Sequence, residues 1–474
     1  MALEQVDGNA QMAPVSGGLV TALTPVMNRN HGLWVGWPGC DPQVDPSRAV
    51  RDWNASHGYK LAVVPLTPEE IAGYYQGFAN QTIWPLFHDL LGRASFEWDH
   101  WRAYCAVNRR FAEVVDAHAD PVDHVWVHDY QLLMVGQQLR AMRPHQRLSF
   151  FLHIPFPAVD LFRRLPWKGE ILRALLDYDR IGFQTARDRR NFVHCLREFV
   201  PNVEAETTGR EATIRGNGWR VIAGHYPISI DFQEFHEGAS RAEVAAMVPI
   251  IREQYRCEQL ILGVDRLDYS KGIPERFLAL ERALEKHPDL IGRIALVQLV
   301  IPSRVDVPEY QKLRSLIDES AGRINARFAR EGWMPIHYMF REMDRTTLLS
   351  YYRACEVALL TPLRDGMNLV AKEYCASTVD NRGALVLSEF AGAAEELRPH
   401  AICVNPHDRE QTADAIHAAC TMDPERRQRR MMSLRADIRR NDVHRWLRSV
   451  LGPFEPRDEQ AETFLEADGQ SAAV

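Results

Sequence analysis

Short apolar runs alternate with longer amphipathic stretches along almost all of the 474 residues. Most runs are continuously hydrophobic, which is typical of parallel strands covered by helices on both faces. The stretches between them, such as 159–177, repeat apolar residues at three- and four-residue steps and predict helices. The pattern therefore predicts an α/β protein with doubly wound parallel sheets. The predicted strands are 61–65, 124–127, 148–154, 181–184, 221–226, 260–264, 294–301, 336–340, 357–361, 384–388 and 401–404.

The alternation is interrupted once, after the apolar run that ends at Tyr226, where a proline and mixed polar residues follow. We therefore predict two Rossmann-like domains, residues 1–230 and 240–440. A ligand of such domains binds at the carboxyl ends of the strands. We predict a further helix over residues 441–452, and the tail 453–474 is polar and acidic.

Composition excludes several classes of function. The net charge of −7 argues against nucleic acid as a partner. No apolar run approaches the roughly 18 residues that span a bilayer, and the N-terminus has no signal-peptide pattern. The eight cysteines are scattered without metal-site spacing. We therefore expect a cytoplasmic protein with reduced thiols, no zinc site and no membrane partner.

The segment 360–374 combines a strand end, a polar loop and a helix start. A loop with Asp365 follows an apolar run, and we predict that a helix starts at Met367. The N–H groups of a helix start suit a phosphate or diphosphate. Glu373 lies about 9 Å further along the axis, within reach of ribose hydroxyls. A capped helix whose Glu373 pairs with Lys372 or solvent explains the same spacing equally well.

The segment 260–277 has the same arrangement, with cations in its loop. Arg266 and Lys271 follow an apolar strand. Two fixed cations there would neutralise a departing diphosphate, where negative charge develops during the reaction. The guanidinium supplies a planar fork and the ammonium a point charge. The alternative is two local ion pairs, Arg266 with Asp268 and Lys271 with Glu275.

Two histidines stand at the ends of predicted strands in the first domain. His128 precedes Asp129 just past one strand, and His153 lies at the end of the next, before Ile154 and Pro155. Strand ends of a parallel sheet meet at one edge, where ligands bind. A structural role for each histidine is the alternative. Neither has a metal-ligand partner at usable spacing, so we expect no metal in the site.

Other candidate residues have weaker signals. Arg304 follows an apolar strand and is a candidate anion ligand, with a surface ion pair as the alternative. Residues 16–19 form a glycine-rich turn of a kind that approaches phosphates, although most such turns have no ligand. Four aromatic residues suit either stacking on a sugar ring or packing in a core. They are Trp34, Trp37, Tyr75 and Trp84.

Together these segments resemble the trehalose-6-phosphate synthases, which are retaining glucosyltransferases of GT-B fold. The resemblance extends over nearly the whole chain. Its motifs are SGGL, GLWVGW, YYQGFANQTIWPLFH, HDYQLL, FFLHIPFP, RLDYSKGIPERF, the Ser-Arg of IPSRVDVPEY, AGRIN, TPLRDGMNLVAKEY and LSEFAGAAEEL. It implies two Rossmann-like domains facing each other across a cleft, with the helix 441–452 returning to the N-terminal domain.

The resemblance also implies a reaction. An enzyme of this family transfers glucose from UDP-glucose to glucose 6-phosphate, giving α,α-trehalose 6-phosphate and UDP. No cofactor is implied besides the donor substrate, and no metal. The expected partners are these two small molecules, and we expect a homo-oligomer.

The matching positions imply a donor site. Arg266 and Lys271 would hold the diphosphate, Asp365 the glucose hydroxyls and Glu373 the uridine ribose, with Gly17 beside them. The rest of the implied donor site is Gly366, Met367, Asn368, Leu369 and Val370.

The resemblance places Asp129 and His153 at the reacting sugar, and with Arg266 and Lys271 they form the expected catalytic set. The implied acceptor ligands are Tyr75, Trp84, Asp129 and Arg304. Arg304 would bind the phosphate of glucose 6-phosphate. In this family the anomeric configuration is retained without an enzymic nucleophile. The acceptor attacks the front face, and the leaving phosphate takes its proton.

The N-terminus departs from the family. Its members open with a hydrophobic strand that ends in Ser-Asn-Arg, and that arginine joins the acceptor-phosphate site. Residues 1–13 contain no such strand, and the first arginine is Arg29. We expect either a start codon placed too far downstream or a chain with half of its phosphate clamp. In the second case the first sheet loses a strand and exposes apolar surface.

Two alternative functions stay open. A sister enzyme of the family would use another acceptor, such as glycerol 3-phosphate to make glucosylglycerol phosphate. A catalytically impaired homologue would act as a regulatory subunit. A nucleotide-binding dehydrogenase is a third candidate, and the lack of G-x-G-x-x-G between a strand and a helix argues against it.

Overall fold

The computed structural model describes residues 2–6, 9–13, 18–39, 44–216, 219–304 and 307–452. The chain forms two compact units that divide between Tyr226 and Pro227, near the predicted end of the first domain. Residues 448–452 belong with the first unit. Among the described helices, none combines the length and apolarity that crossing a bilayer requires.

The first unit contains three separate β-structures. Its strands are β1 (Ala2–Val6), β2 (Asn9–Ala13), β3 (Leu33–Gly36), β4 (Lys60–Val63), β5 (His124–His128), β6 (Arg147–Phe151), β7 (Arg180–Phe183), β8 (Glu204–Thr208), β9 (Glu211–Gly216) and β10 (Trp219–His225). The pair β1–β2 is antiparallel, and β3–β4 is parallel. The other six form one sheet in the order β5-β6-β7-β10-β9-β8. In it β5, β6, β7 and β10 run parallel, so their carboxyl ends lie at one edge.

The β1–β2 ribbon occupies the part of the chain in which we expect no hydrophobic strand ending in Ser-Asn-Arg, and it was not predicted. The Leu3 N–H donates to the Pro38 carbonyl at 3.3 Å, and Met12 packs against a buried cluster built around Trp53. A short ribbon needs only every second residue to face a core. The ribbon joins neither parallel sheet, and among the described residues β3–β4 and the six-stranded sheet share no strand pairing.

The second unit contains one sheet of six parallel strands. They are β11 (Gln259–Arg266), β12 (Ile294–Ile301), β13 (Ile336–Phe340), β14 (Val357–Leu360), β15 (Ala384–Ser388) and β16 (Ile402–Val404). Their order is β13-β12-β11-β14-β15-β16, so the direction of winding reverses between β11 and β14. At such a reversal the two following loops diverge and leave a crevice at the strand ends.

Helices connect the strands. Those of the first unit are α1 (Gly18–Arg29), α2 (Ser47–Ser56), α3 (Pro68–Glu70), the π-helix Ile71–Ile83, α4 (Trp84–Phe87), α5 (Trp98–Asp116), α6 (Val135–Met142), α7 (Val159–Phe162), α8 (Lys168–Leu176) and α9 (Ala186–Phe199). The predicted helix 159–177 is two helices, because Pro166 stands between α7 and α8 and cannot continue a helix.

The helices of the second unit follow the same pattern. They are α10 (Phe232–Ser240), α11 (Ala242–Tyr255), α12 (Ile273–Lys286), α13 (Pro308–Phe328), α14 (Arg345–Ala354), α15 (Leu369–Ser377), α16 (Ala394–Leu397), α17 (Arg409–Cys420), α18 (Pro424–Arg440) and α19 (Val443–Val450). The last of these includes the point where the chain leaves the second unit.

The second unit has an arginine in its core. Arg276, on α12, is 1% exposed and its guanidinium is bound to the carboxylate of Asp265. It also donates to Gln298 Oε1 at 2.8 Å, to Thr361 Oγ1 at 3.1 Å and to the Lys271 carbonyl at 3.3 Å. These partners lie on β11, on β12, directly after β14 and in the loop after β11. One side chain therefore joins three strands and a loop.

Gly263 provides the space for this network. A Cβ at this position of β11 would lie 2.2 Å from Gln298 Oε1 and 2.8 Å from Arg276 Nη1. Any larger residue would therefore displace the buried polar groups.

We predict that Arg276→Met lowers the unfolding free energy of the second unit by about 3–5 kcal/mol. The substitution leaves Asp265 buried without its charged partner. Arg282→Met is the control, because Arg282 is on the same helix and its partners, Glu285 and Glu410, lie at the surface. It should change stability little. Urea denaturation of both variants measures the difference, and equal stability would contradict the assigned role of Arg276.

Candidate active site

Two neighbouring strands, β11 and β14, deliver the predicted donor residues to one edge of the second sheet. Arg266 ends β11 and is exposed, while Lys271 closes the turn that follows. Asp365 lies in the loop after β14. The Lys271 ammonium donates to Asp365 Oδ2 at 2.6 Å, and both side chains are largely buried. The alternative pairing of Lys271 with Glu275 is therefore wrong.

Helix α15 begins at Leu369, later than the predicted start at Met367, because Asn368 caps it. Asn368 has a φ of 82°, and its side-chain oxygen accepts from the Ala371 N–H at 3.1 Å. The same side chain donates to Asp365 Oδ2 at 3.3 Å. The N–H groups of Leu369 and the residue after it have no acceptor within the helix. A helix start suited to an anion is therefore present.

The loop between β14 and α15 is held by the turn after β15. The Gly392 N–H donates to the Asp365 carbonyl at 3.1 Å, and the Ala393 N–H donates to the Met367 carbonyl at 2.7 Å. A Cβ on Gly392 would lie 1.9 Å from the Gly366 carbonyl oxygen. The backbone of the predicted donor loop is thus bonded on both sides of Gly366.

Glu373 is on α15, half-buried, and accepts a hydrogen bond from the Tyr352 hydroxyl at 2.8 Å. Burial raises the pKa of Glu373, while this hydrogen bond and the nearby charge of Arg345 oppose the rise. Lys372 points elsewhere, because its ammonium binds Glu396 at 2.6 Å. The alternative pairing of Glu373 with Lys372 is therefore wrong.

Arg304 follows β12 and has a φ of 50°. Its guanidinium contacts the Tyr310 hydroxyl and lies 3.5 Å from Asp268 Oδ2. The Tyr310 hydroxyl in turn donates to the same carboxylate oxygen at 3.1 Å. Only 10% of the Arg304 side chain and 3% of the Asp268 side chain are exposed. The alternative of a surface ion pair is therefore wrong, since this arginine is held in a mostly buried position.

In the first unit, three adjacent strand ends bring polar side chains together. Asp129 follows β5 and has a φ of 73°, a backbone conformation that is costly for a residue other than glycine. Its carboxylate accepts a hydrogen bond from the backbone N–H of His153 at 3.2 Å. The His153 ring is bonded on both sides: His128 Nδ1 lies 3.1 Å from its Nε2, and Gln184 Nε2 lies 3.3 Å from its Nδ1. Asp129 and His153 therefore adjoin, as predicted.

Both imidazoles are neutral at physiological pH. Burial lowers the pKa of His153 to about 3. Burial also lowers the pKa of His128 strongly, helped by the neighbouring His153 and His124. The ring nitrogens of His153 are both hydrogen-bonded, so this residue is poorly placed to transfer a proton.

The predicted acceptor aromatics differ in exposure. Tyr75 is partly exposed and meets Trp37 edge to face, with ring centroids 5.4 Å apart. Trp84 is 5% exposed and packs against His88 and Tyr130 at 4.1 and 5.4 Å. Trp84 therefore belongs to the core and packs against Tyr130, which directly follows Asp129. Gly17 lies outside the described residues.

Sequence reasoning did not single out Gln184 or Tyr352. Gln184 directly follows β7, just as Asp129 follows β5 and His153 lies beyond the end of β6. Because ligands bind at the carboxyl ends of parallel strands, a search for polar residues at those ends would have found Gln184. Tyr352 lies within α14 and has no such signal.

One group of possible metal ligands lies elsewhere in the second unit. His287, Asp289 and His417 offer ligand atoms within 4.8 Å of one another. Each histidine already faces a carboxylate: His287 lies 3.0 Å from Asp414, and His417 lies 3.4 Å from Asp289.

Comparison with known proteins identifies the family. The family model of glycosyltransferase family 20 matches residues 2–455. The trehalose-6-phosphate synthase of Mycolicibacterium vanbaalenii is 42% identical over 462 residues, covering 95% of this chain and 92% of its own. The corresponding protein of Mycobacterium avium is 42% identical over 461 residues, with 95% and 93% coverage.

Solved structures agree with this. An α,α-trehalose-phosphate synthase (UDP-forming) from Burkholderia xenovorans, in complex with glucose-6-phosphate, superposes with a TM-score of 0.85 at 36% identity. The match covers 92% of this chain and 96% of that one. An E. coli trehalose-6-phosphate structure bound with UDP-2-fluoro glucose gives a TM-score of 0.84 at 37% identity, with 93% and 96% coverage. The predicted α/β class with parallel sheets is confirmed, and the fold matches the GT-B structures.

We predict that the first unit loses stability as the pH falls from 7 to 5, partly through His153. The unfolded chain binds a proton below the usual pKa of 6.5, whereas folded His153 does so only near 3. Acid therefore favours the unfolded state, by up to about 2 kcal/mol at pH 5. His153→Gln keeps hydrogen-bonding groups and should reduce this pH dependence in urea denaturation. Exposed His118→Gln is the control, and an equal effect of both variants would refute the prediction.

Proposed function

The chain belongs to glycosyltransferase family 20, and we propose from this membership and from the site that it transfers glucose from UDP-glucose to glucose 6-phosphate. The products are α,α-trehalose 6-phosphate and UDP. One observation carries the proposal. The loops after β11 and β14, at the reversal point of the second sheet, are joined by the bond between Lys271 and Asp365 and lead to the start of α15.

The donor's charge determines where it binds. A nucleoside diphosphate carries negative charge on its two phosphates, and the site offers Arg266, Lys271 and the first N–H groups of α15. In the structure Lys271 is paired with Asp365. Diphosphate binding would draw the ammonium away, leaving the Asp365 carboxylate to accept hydrogen bonds from glucose hydroxyls. Glu373, four residues or about one helix turn after Leu369, would accept from the ribose hydroxyls.

The reaction breaks the bond between the glucose anomeric carbon and the diphosphate oxygen. Negative charge develops on that oxygen, and Arg266 and Lys271 stabilise it. The anomeric hydroxyl of glucose 6-phosphate attacks from the same face, which retains the configuration. Its proton passes to the departing phosphate oxygen, so that proton transfer is balanced without a base from the enzyme.

The first unit would contribute Asp129 and His153 to the reacting sugar. His153 is neutral and bonded at both ring nitrogens, which supports a proton route through the leaving group rather than through imidazole. Asp129 would orient a sugar hydroxyl from its fixed position after β5. No resident metal or cofactor is required by this scheme.

Tyr75 and Arg304 would contact glucose 6-phosphate directly. The mostly buried guanidinium of Arg304 is oriented by Asp268 and Tyr310, which suits a fixed phosphate ligand. Trp84 is too deeply buried to stack openly on the sugar and would shape the pocket through Tyr130. The seven described cysteines form no disulfide, which supports a cytoplasmic enzyme. A homo-oligomer stays a prediction.

The direct test is release of UDP from UDP-glucose by this chain with glucose 6-phosphate, with glycerol 3-phosphate, and with no acceptor. We expect release that depends on glucose 6-phosphate, with an α,α-linked disaccharide phosphate identified by NMR. Faster turnover with glycerol 3-phosphate would instead favour the sister enzyme. UDP binding without turnover on either acceptor would favour the impaired homologue.

We predict that Arg304→Gln raises the KM for glucose 6-phosphate about 100-fold, because a charge-assisted contact with a phosphate is lost. The affinity for UDP should stay within about twofold. Arg341→Gln is the matched control, since Arg341 directly follows the neighbouring strand β13 and is exposed. Steady-state kinetics at varied concentrations of glucose 6-phosphate give the KM of each variant, and calorimetry gives its affinity for UDP. An equal loss of UDP affinity would show that Arg304 belongs to the donor site.

A further inference from the structure

The Glu373 carboxylate has a single hydrogen-bond donor within the described part of the chain. That donor is the hydroxyl of Tyr352, 2.8 Å from Oε2. Tyr352 is fully buried on α14, and burial keeps its pKa well above the usual value, so that its hydroxyl remains a donor. One carboxylate oxygen therefore accepts a hydrogen bond from the protein, and no described residue donates to the other.

The charges around this carboxylate are few. Arg345, on α14, lowers its pKa, and Glu234, on α10, raises it. These two residues also pair with each other at 3.0 Å, so their effects on Glu373 partly cancel. On the side of α18, Arg435 binds carbonyls at the far end of α15. The Tyr352 hydroxyl is thus the main group that favours the ionised form of Glu373.

We propose that Tyr352 is a positioning residue for the donor nucleotide. Its hydroxyl fixes the rotation of the Glu373 carboxylate, so that Oε1 is presented to the ribose hydroxyls of a uridine diphosphate. This inference rests on the proposed function, because it takes Glu373 as the ribose ligand. Tyr352 itself does not contact the nucleotide.

A second consequence concerns pH. Glu373 accepts hydrogen bonds from ribose only when it is ionised, and burial already raises its pKa. Removal of the Tyr352 hydroxyl raises that pKa further. As the pH is lowered, the affinity of the Tyr352→Phe variant for UDP should therefore begin to fall at a higher pH than that of the wild type. A tyrosine that served only to fill space would not produce this change.

The experiment is UDP binding by calorimetry at pH 8 and pH 6, with no acceptor present. Tyr352→Phe should weaken binding about tenfold at pH 8 and by a distinctly larger factor at pH 6. Tyr374→Phe is the matched control. Tyr374 is equally buried on α15 and loses the same hydroxyl, which donates to the Cys355 carbonyl at 3.1 Å. It should bind UDP as the wild type does at both pH values.

A double-mutant cycle separates positioning from packing. Glu373→Gln cannot titrate, so adding Tyr352→Phe to it should cost less than about twofold, with no pH dependence. An equal loss from Tyr352→Phe in both backgrounds would overturn the inference, and so would equal losses from the two tyrosine variants. Wild-type protein that fails to bind UDP at all would overturn the donor site itself, and the inference with it.

Discussion

A buried guanidinium holds the second unit's site in place. Arg276 is bound to a carboxylate on β11, to an amide on β12, to a hydroxyl directly after β14 and to the carbonyl of Lys271. Arg266 is the next residue after its partner Asp265, and the donor loop begins just beyond Thr361. The backbone at Lys271 and the strand end before the donor loop are therefore held by buried polar bonds. We expect the Lys271 ammonium to move from Asp365 to a bound diphosphate, while this buried network keeps the backbone around it in place.

The first unit reaches its arrangement by other means. It has no comparable ion pair among the described residues of its candidate site. Backbone geometry does the positioning: the Asp129 N–H extends the ladder to the Phe151 carbonyl at 2.8 Å, and its carboxylate binds the next strand end at His153. The positive φ of Asp129 is unfavourable for its backbone. The hydrogen bonds to Phe151 and from His153 hold the residue in this conformation. The two units thus offer different chemistry, with cations in the second and neutral imidazoles beside a carboxylate in the first.

The sequence allowed the strands to be predicted well because parallel strands are continuous apolar runs. All eleven predicted strands have counterparts in the structure. The strands that escaped prediction are polar or short. Glu204–Thr208 and Glu211–Gly216 form an antiparallel extension whose residues alternate or face solvent. Leu33–Gly36 contains an apolar run of only three residues between two glycines. The ribbon at residues 2–13 escaped because its strands have no continuous apolar run.

The candidate site could be predicted only where a rule links position to chemistry. Strand ends and a helix start pointed to Arg266, Lys271, Asp365 and His153. The side chains that orient them could not be found this way. Tyr352 reaches its partner across 21 residues of sequence, and Arg276 reaches Thr361 across 85. Such pairs are made by tertiary packing and have no local signature.

The most direct test of the whole account is a crystal structure of this chain with UDP bound. The account predicts that the Lys271 ammonium has left Asp365 and lies on the diphosphate. It also predicts that the diphosphate meets the N–H groups at the start of α15, and that Glu373 binds the ribose while Tyr352 still binds Glu373. A structure in which Lys271 remains on Asp365, with the nucleotide bound away from the ends of β11 and β14, would contradict it.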